Sequence, residues 1–409
     1  MGKELDKVRE LLRVHGKPKR EVYFDFENSA WVPPEVVDAM LPYFNKYGYG
    51  HPSITNKPGW EALEAVLEAQ EFISRSIGTK PEEIVFTHSG TEANNLAILG
   101  SIKANRNRGK KIIVSAIEHF SVLLPVSELG NNGYNIVQIP VDNKGFIDLD
   151  ILDTLVDKET VFVSIQLVNH EIGTIQPLRE AVEIIRDKNP EAIIHTDAVD
   201  AYTRIPINVE KLGVDLLTLS SHKILGPRGA GALYVREGVK VEKILYGALS
   251  TQSLWPGVEN VPAIVGFKKA AELALDNMEE KMRYVAGLRD RLFKGILENV
   301  DHVLVNGPLG EKRVPDNINV SFLYVEGEAI TVELSMRGVY VSSGSACTSR
   351  VLEPSHVLLA IGRKHEEAHG SILFKITRYH RVDDIDYAIE QIREAIPRLR
   401  TLSSIKPGK

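Results

Sequence analysis

Apolar positions along the chain recur with two different periods, and the switch between them marks out a layered fold. Trp60, Leu63, Leu67 and Phe72 fall near one face of a helix, and the run Ile84-Val85-Phe86 that follows has the length and composition of a short buried strand. The spacing then predicts helix over 91–105 and a strand at Ile112-Ile113-Val114. Further strands are expected at 136–139, 161–167, 192–195 and 216–219, several with helical stretches between them. Short apolar strands alternating with helices indicate an α/β fold with a mostly parallel sheet covered on both faces. In such sheets ligands sit beyond the carboxyl ends of the strands.

The pattern changes in the last third. A long helical stretch over 264–300 is expected to carry the chain out of this large domain. An alternating apolar run at 318–322, a helix over 329–336, strands near Val339 and Ile372 and a last helix after Asp383 form a smaller α+β domain. Residues 3–15 read as an amphipathic helix with Leu5, Val8 and Leu12 on one side.

Composition narrows the functional classes. At 409 residues the chain exceeds one simple core, and 43% apolar content suits a globular protein. A formal net charge of -6 without long blocks of like charge gives no nucleic-acid footprint. The first residues are too charged for a secretory leader, and Asp6 spoils a myristoylation pattern. No apolar stretch is long enough to span a membrane, so a cytoplasmic enzyme is expected. The only cysteine is Cys347, which excludes an intrachain disulfide.

Four segments carry candidate chemistry. Thr87-His88-Ser89-Gly90-Thr91-Glu92-Ala93-Asn94-Asn95 lies between a strand and a helix, where free N–H groups and small hydroxyls suit a phosphate; a plain Ser/Thr helix cap would look the same. Ser220-Ser221-His222-Lys223 follows a strand, which places Lys223 to form a Schiff base, although most lysines are simply at the surface. His195-Thr196-Asp197 ends another strand, and Asp197 could pair with a pyridinium nitrogen or cap a helix. Ser342-Ser343-Gly344-Ser345-Ala346-Cys347-Thr348-Ser349 reads as a polar exposed loop, unlike the surroundings of a buried structural cysteine.

In this order and spacing the four segments resemble the cysteine desulfurases of the NifS/IscS type, a branch of the class V aminotransferase-like enzymes. The resemblance runs from about Tyr23 to the final helix and includes Glu118-His119, Glu171-Ile172-Gly173, Gly229-Ala230-Gly231-Ala232-Leu233-Tyr234 and Tyr324-Val325-Glu326-Gly327-Glu328. It implies a fold-type I transferase dependent on pyridoxal 5'-phosphate, with a mostly parallel seven-stranded sheet in the large domain. The expected division is residues 1–30 joining the small domain, 31–275 as the cofactor-binding large domain and 276–409 as the small domain carrying the Cys347 loop. The resemblance assigns Lys223 to the cofactor, Asp197 to the pyridine nitrogen, and His119 to ring stacking and proton shuttling. Gly90, Thr91, Ser220 and His222 would hold the phosphate, and Cys347 would take the sulfur of L-cysteine as a persulfide. A homodimer is implied, as is delivery to a protein acceptor such as an iron–sulfur scaffold or a tRNA-thiolation partner.

The departures from the family pattern cluster at the same site. Asn169-His170-Glu171 stands where Asn-Asn-Glu is usual, and Asp200 stands where a glutamine is usual, so His170 and Asp200 are expected to share the cofactor hydroxyl. The region 51–56 is one residue shorter than usual if aligned at Gly59, with Asn56 as a substrate-side candidate. Trp255-Pro256-Gly257-Val258 replaces Arg-Ser-Gly-Thr, and Val258 cannot donate to a neighbouring subunit's phosphate. Leu373 replaces the arginine expected to grip the substrate carboxylate, which leaves Lys375, on the same face of a strand, and Arg378 as candidates. These changes motivate two alternatives: a related lyase or aminotransferase acting on another amino acid such as selenocysteine, or a weakly catalytic sulfur-transfer partner. His365-Glu366-Glu367-Ala368-His369 matches a zinc-protease motif, but Gly370 and the strand-like residues after it end any helix at once, so no metal is expected.

Overall fold

Runs of Ile, Val and Leu dictate a central sheet, and a computed structural model, which describes residues 18–343 and 354–403, contains one of seven strands. After a short β1 (Val22–Tyr23) come β2 (Ile84–Thr87), β3 (Lys111–Ser115), β4 (Asn135–Ile139), β5 (Thr160–Ser164), β6 (Ile193–Asp197), β7 (Leu216–Ser220) and β8 (Gly231–Val235). The order is β2-β8-β7-β6-β5-β3-β4. Only β8 runs antiparallel to its neighbours; the other pairings are parallel. Every residue of β5, β6 and β7 is buried, as expected for strands covered on both faces.

Two helical predictions need correction. The helix expected over 91–105 is helix at Gly90–Asn95, a π turn at Leu96–Gly100 and helix again at Ser101–Ala104. A Cβ on Gly100 would lie 2.5 Å from the Glu242 carbonyl oxygen, and Glu242 N–H donates to Gly100 O at 3.0 Å, so the ladder widens where another backbone docks. The stretch over 264–300 is two helices, Val261–Leu275 and Met278–Asn299. They are broken at Asn277, whose φ of 49° is a left-handed conformation that Asn tolerates.

The chain divides into two units. One comprises Ser29–His170 and Thr174–Met278, with the seven-stranded sheet. The other comprises the described residues up to Asn28, Glu171–Gly173 and those from Glu279 on. It contains β9 (Val303–Val305), β10 (Asn317–Phe322), β11 (Val339–Tyr340), β12 (Ser342–Ser343) and β13 (Ser371–Lys375). Strands β12-β13-β10-β9 form an antiparallel sheet, and β1 pairs in parallel with β11. Phe24, Phe322, Phe374, Ile318 and Ile385 lie in its core. Glu171–Gly173 goes with this unit because Asn317 and Asn319 both donate to Glu171 O, at 3.0 and 3.2 Å. At Gly173, φ is 73° and a Cβ would sit 2.7 Å from the Asn317 side chain, so glycine is required. The helix expected at 3–15 and the Cys347 loop lie outside the described residues.

Candidate active site

Strands β6 and β7 end side by side and deliver Asp197 and the Ser220–Lys223 turn beyond the sheet's carboxyl edge. Asp197 is buried. Its Oδ2 accepts from Asn94 Nδ2 at 2.8 Å and its Oδ1 from Val199 N–H at 3.0 Å. Burial raises this carboxyl above its usual range; the charge of His119 and the Asn94 and Val199 donors pull the other way, and Asp200 adds to the rise.

The second proton of the Asn94 amide goes to Ser121 Oγ at 2.8 Å, and Ser121 Oγ lies 2.7 Å from His119 Nδ1. Ser121 N–H also donates to His119 Nδ1, at 3.1 Å. That nitrogen is therefore an acceptor, which places the ring proton at Nε2. The His119 and His170 rings meet edge to face at 5.1 Å. Behind them Glu118 is fully buried and accepts from Gln166 N–H at 2.6 Å. Burial first, and Asp197 second, push its carboxyl well above the usual range, while the Gln166 N–H pulls it down.

Lys223 sits in a short 3-10 turn, His222–Ile224, followed by Leu225 with a φ of 69°. A left-handed leucine costs of order 1–3 kcal/mol, a strain the surrounding packing must sustain. Lys223 Nζ lies 3.2 Å from Asp200 Oδ2, with the two side chains 9% and 5% exposed. Arg204 Nη2 donates to the Lys223 carbonyl at 2.9 Å. His222 Nδ1 lies 2.9 Å from Ser220 Oγ. Burial, then the Lys223 charge, push His222 down to about 4, so it is neutral near pH 7. Gly90 opens its helix tight against this turn: a Cβ there would meet Val199 Cγ2 at 3.1 Å and Ser220 Cβ at 3.2 Å. Thr91 is exposed beside it.

A class-V aminotransferase profile matches residues 22–387. Cysteine desulfurase IscS 1 of Archaeoglobus fulgidus is 44% identical over 94% of this chain and 99% of its own length. Cysteine desulfurase IscS of Dictyoglomus turgidum is 43% identical over 95% and 98%. A solved NifS-like protein superposes with a TM-score of 0.87 at 33% identity, covering 93% of this chain and all of its own. The chain belongs to the class-V aminotransferases, in their cysteine desulfurase branch. A further solved structure, SspA in complex with cysteine, superposes with a TM-score of 0.77 at 29% identity over 88% of this chain and 99% of its own.

Enzymes of this family depend on pyridoxal phosphate. The donor set here fits that group. A buried carboxylate at the end of β6 suits a protonated ring nitrogen, a buried lysine amine suits a carbonyl carbon, and the Gly90 helix start with Ser220 suits a phosphate. Asn94 and Ser121, which link Asp197 to His119, are positions that strand and helix periods do not reveal. Asn94 carries no mark of its own in the sequence, because Thr91, Glu92 and Asn95 on the same short helix are polar as well.

Other family positions have different surroundings. Asn56 caps the helix Lys57–Ile77, its Oδ1 accepting from Gly59 N–H at 3.0 Å. Trp255 is buried with its indole N–H 3.4 Å from His88 Nδ1, and Val258 is exposed. In the second unit Leu373 is buried in β13 between Asn319 and Ser342. Lys375 is 1% exposed, its Nζ 3.4 Å from Glu27 Oε2. Strand β13 ends at Lys375, so Arg378 lies past the reach of strand alternation; its guanidinium stacks 4.8 Å above the Tyr379 ring. The His365–His369 segment is one helical turn, and among the described residues no group of three or more His, Cys, Asp or Glu is placed to hold a metal. No described helix is long and apolar enough to cross a membrane.

Proposed function

We propose that this enzyme converts L-cysteine to L-alanine with pyridoxal 5'-phosphate carried on Lys223, and that the sulfur passes to Cys347 as a persulfide. The observation that carries the reading is the pair of adjacent strand ends that set a buried Asp197 beside the Lys223 turn. When bound, the cofactor supplies an electron sink for the charge released at the substrate Cα. Asp197 holds a proton at the ring nitrogen, and the Asn94–Ser121–His119 chain fixes the carboxylate and the His119 tautomer together. Gly90, Thr91, Ser220 and neutral His222 bind the phosphate, the last as a hydrogen-bonding group and not as a cation. Asp200 borders Lys223, and His170 stands against the His119 ring. Once displaced by the substrate amine, Lys223 takes the Cα proton.

Cys347 acts as a thiolate, a form that is only a few per cent of an ordinary thiol near neutrality, where the pKa is ~8.5. It attacks the substrate sulfur. An S–S bond forms as the Cβ–S bond breaks, the electron pair stays with the carbon fragment, and that fragment takes up a proton to become alanine. The reading extends to a cytoplasmic homodimer that hands its persulfide to a protein acceptor. Exposed Trp31, Phe44, Tyr49 and Trp60 on the first unit support a second copy as the partner.

The test is product stoichiometry. Purified enzyme given L-cysteine and a reducing thiol should release alanine and sulfide in equal amounts. Alanine without sulfide, or neither product, would overturn the assignment.

A further inference from the structure

The loop after β6 grips Lys223 at two points. Arg204 binds its backbone carbonyl, and Asp200 Oδ2 lies 3.2 Å from its Nζ. The ion pair is nearly sealed, with side-chain exposures of 9% and 5%. An ion pair screened from water interacts far more strongly than one at the surface. The loop is itself fixed: Ala201 and Tyr202 N–H both donate to Ala198 O, and Thr203 is held at a φ of 65°. The carboxylate is thus presented to Nζ by a rigid turn and not by a freely rotating surface chain.

We infer that Asp200 is a positioning residue that acts through Lys223, holding a proton at Nζ and thereby setting the pH range over which this lysine is cationic. The inference rests on Lys223 being the cofactor-bearing lysine. Other charges near the pair work in both directions. Arg204 and Arg228 are cations beside His222, which also feels Lys223 and Asp200. Both disfavour a further positive charge at Nζ, and His222 itself is neutral. Asp197 feels both Asp200 and His119; it is engaged by Asn94 and Val199, and it in turn acts on the buried Glu118 carboxyl. His170 adds a ring against His119. Burial alone would drive Lys223 toward the neutral amine. The Asp200 carboxylate, 3.2 Å from Nζ, opposes that drive.

The experiment is pH-dependent trace acetylation of the full-length chain freed of cofactor, with the Lys223 peptide quantified by mass spectrometry. Asp200→Asn and Asp200→Gln are each expected to lower the midpoint of Lys223 reactivity by roughly 1–3 pH units, the range for losing an adjacent opposite charge. Asp200→Glu should retain most of it. In cofactor-loaded enzyme, the pH transition of the absorption band should move in the same direction for the Asn and Gln variants and stay put for Glu. Identical Lys223 midpoints in wild type and in whichever amide variant keeps the wild-type circular dichroism would overturn the inference. A shifted midpoint in an enzyme that makes no alanine from cysteine would support the pair and strike the proposed function instead, so the two fail separately.

Discussion

Asn94 and Asp197 are joined by a 2.8 Å hydrogen bond from the amide Nδ2 to the carboxylate Oδ2. The same nitrogen bonds Ser121, so one side chain supports both the acid and the histidine of the site. Asn94→Ala should remove that support without touching Lys223. A hydrogen bond to a charged group is worth about 1.5–3 kcal/mol, so cofactor affinity should fall roughly ten- to a hundredfold, measured by equilibrium dialysis. Wild-type affinity in the variant would show that Asp197 does not depend on this amide.

Borohydride reduction of the cofactor-loaded enzyme should fix the cofactor covalently on the peptide containing Lys223. Lys223→Ala should yield no labelled peptide. A label on any other lysine would remove Lys223 from its role.

Cys347→Ser should keep the cofactor absorption spectrum and lose persulfide formation. Because Cys347 is the only cysteine in the chain, mass spectrometry of the intact protein reads the persulfide directly. Undiminished sulfide release by the variant would mean that another acceptor takes the sulfur.

Glu171 gives a pH prediction. Burial pushes its carboxyl up to about 8; the Ser355 hydroxyl bonded to it pulls down, and Glu27 pushes up. The folded chain therefore keeps a proton here that the unfolded chain releases near an ordinary carboxylate pKa of about 4.3. Its stabilising contribution is complete below that value and is lost as pH rises toward 8. Relative to Glu171→Gln, the wild-type Tm should drop between pH 5 and pH 8. Parallel Tm profiles for the two proteins would show that Glu171 ionises normally.

The buried Lys375–Glu27 pair bears on the substrate carboxylate. Glu27→Gln would remove the carboxylate paired with a buried ammonium and should cost about 3–5 kcal/mol of stability, read as a lowered denaturation midpoint. Because Glu27 already matches the Lys375 charge, Arg378 is the stronger candidate for the carboxylate. Arg378→Ala should weaken L-cysteine binding roughly ten- to a hundredfold, and Lys375→Met should do so less. Equal affinity in wild type and Arg378→Ala would exclude the arginine.

Much of the sheet is legible from periodicity alone. Strand β7 extends one residue beyond its expected 216–219, and β6 runs to Asp197, two residues past the run expected at 192–195. Strand β8 is harder, because Gly231-Ala232-Leu233-Tyr234 has little β-branched character and its antiparallel direction leaves no local mark. The π turn depends on a docking backbone, and the helix break at Asn277 on one left-handed residue. Neither alters the apolar period. At the site, the alternation locates the strand ends that bear Asp197 and Lys223. The links between Asn94 and residues 27 and 103 positions away, by contrast, arise only when the strands and helices assemble. The pairing of Lys375 with Glu27 is of the same kind: strand alternation orients the lysine but does not say what it meets.

The three residues Glu171–Gly173 have a consequence for biosynthesis. The carbonyl of Glu171 is satisfied by Asn317 and Asn319, which follow it by 146 and 148 residues. On the ribosome this turn emerges long before either asparagine exists, and closing so long a loop is entropically unfavourable. A nascent chain released early, or a truncation that ends with the helix Val261–Leu275, possesses every strand of the seven-stranded sheet but lacks both donors to the Glu171 carbonyl. The last third of the chain thus supplies the donors for a carbonyl encoded nearer its middle, and that contact forms only after synthesis has passed Asn319.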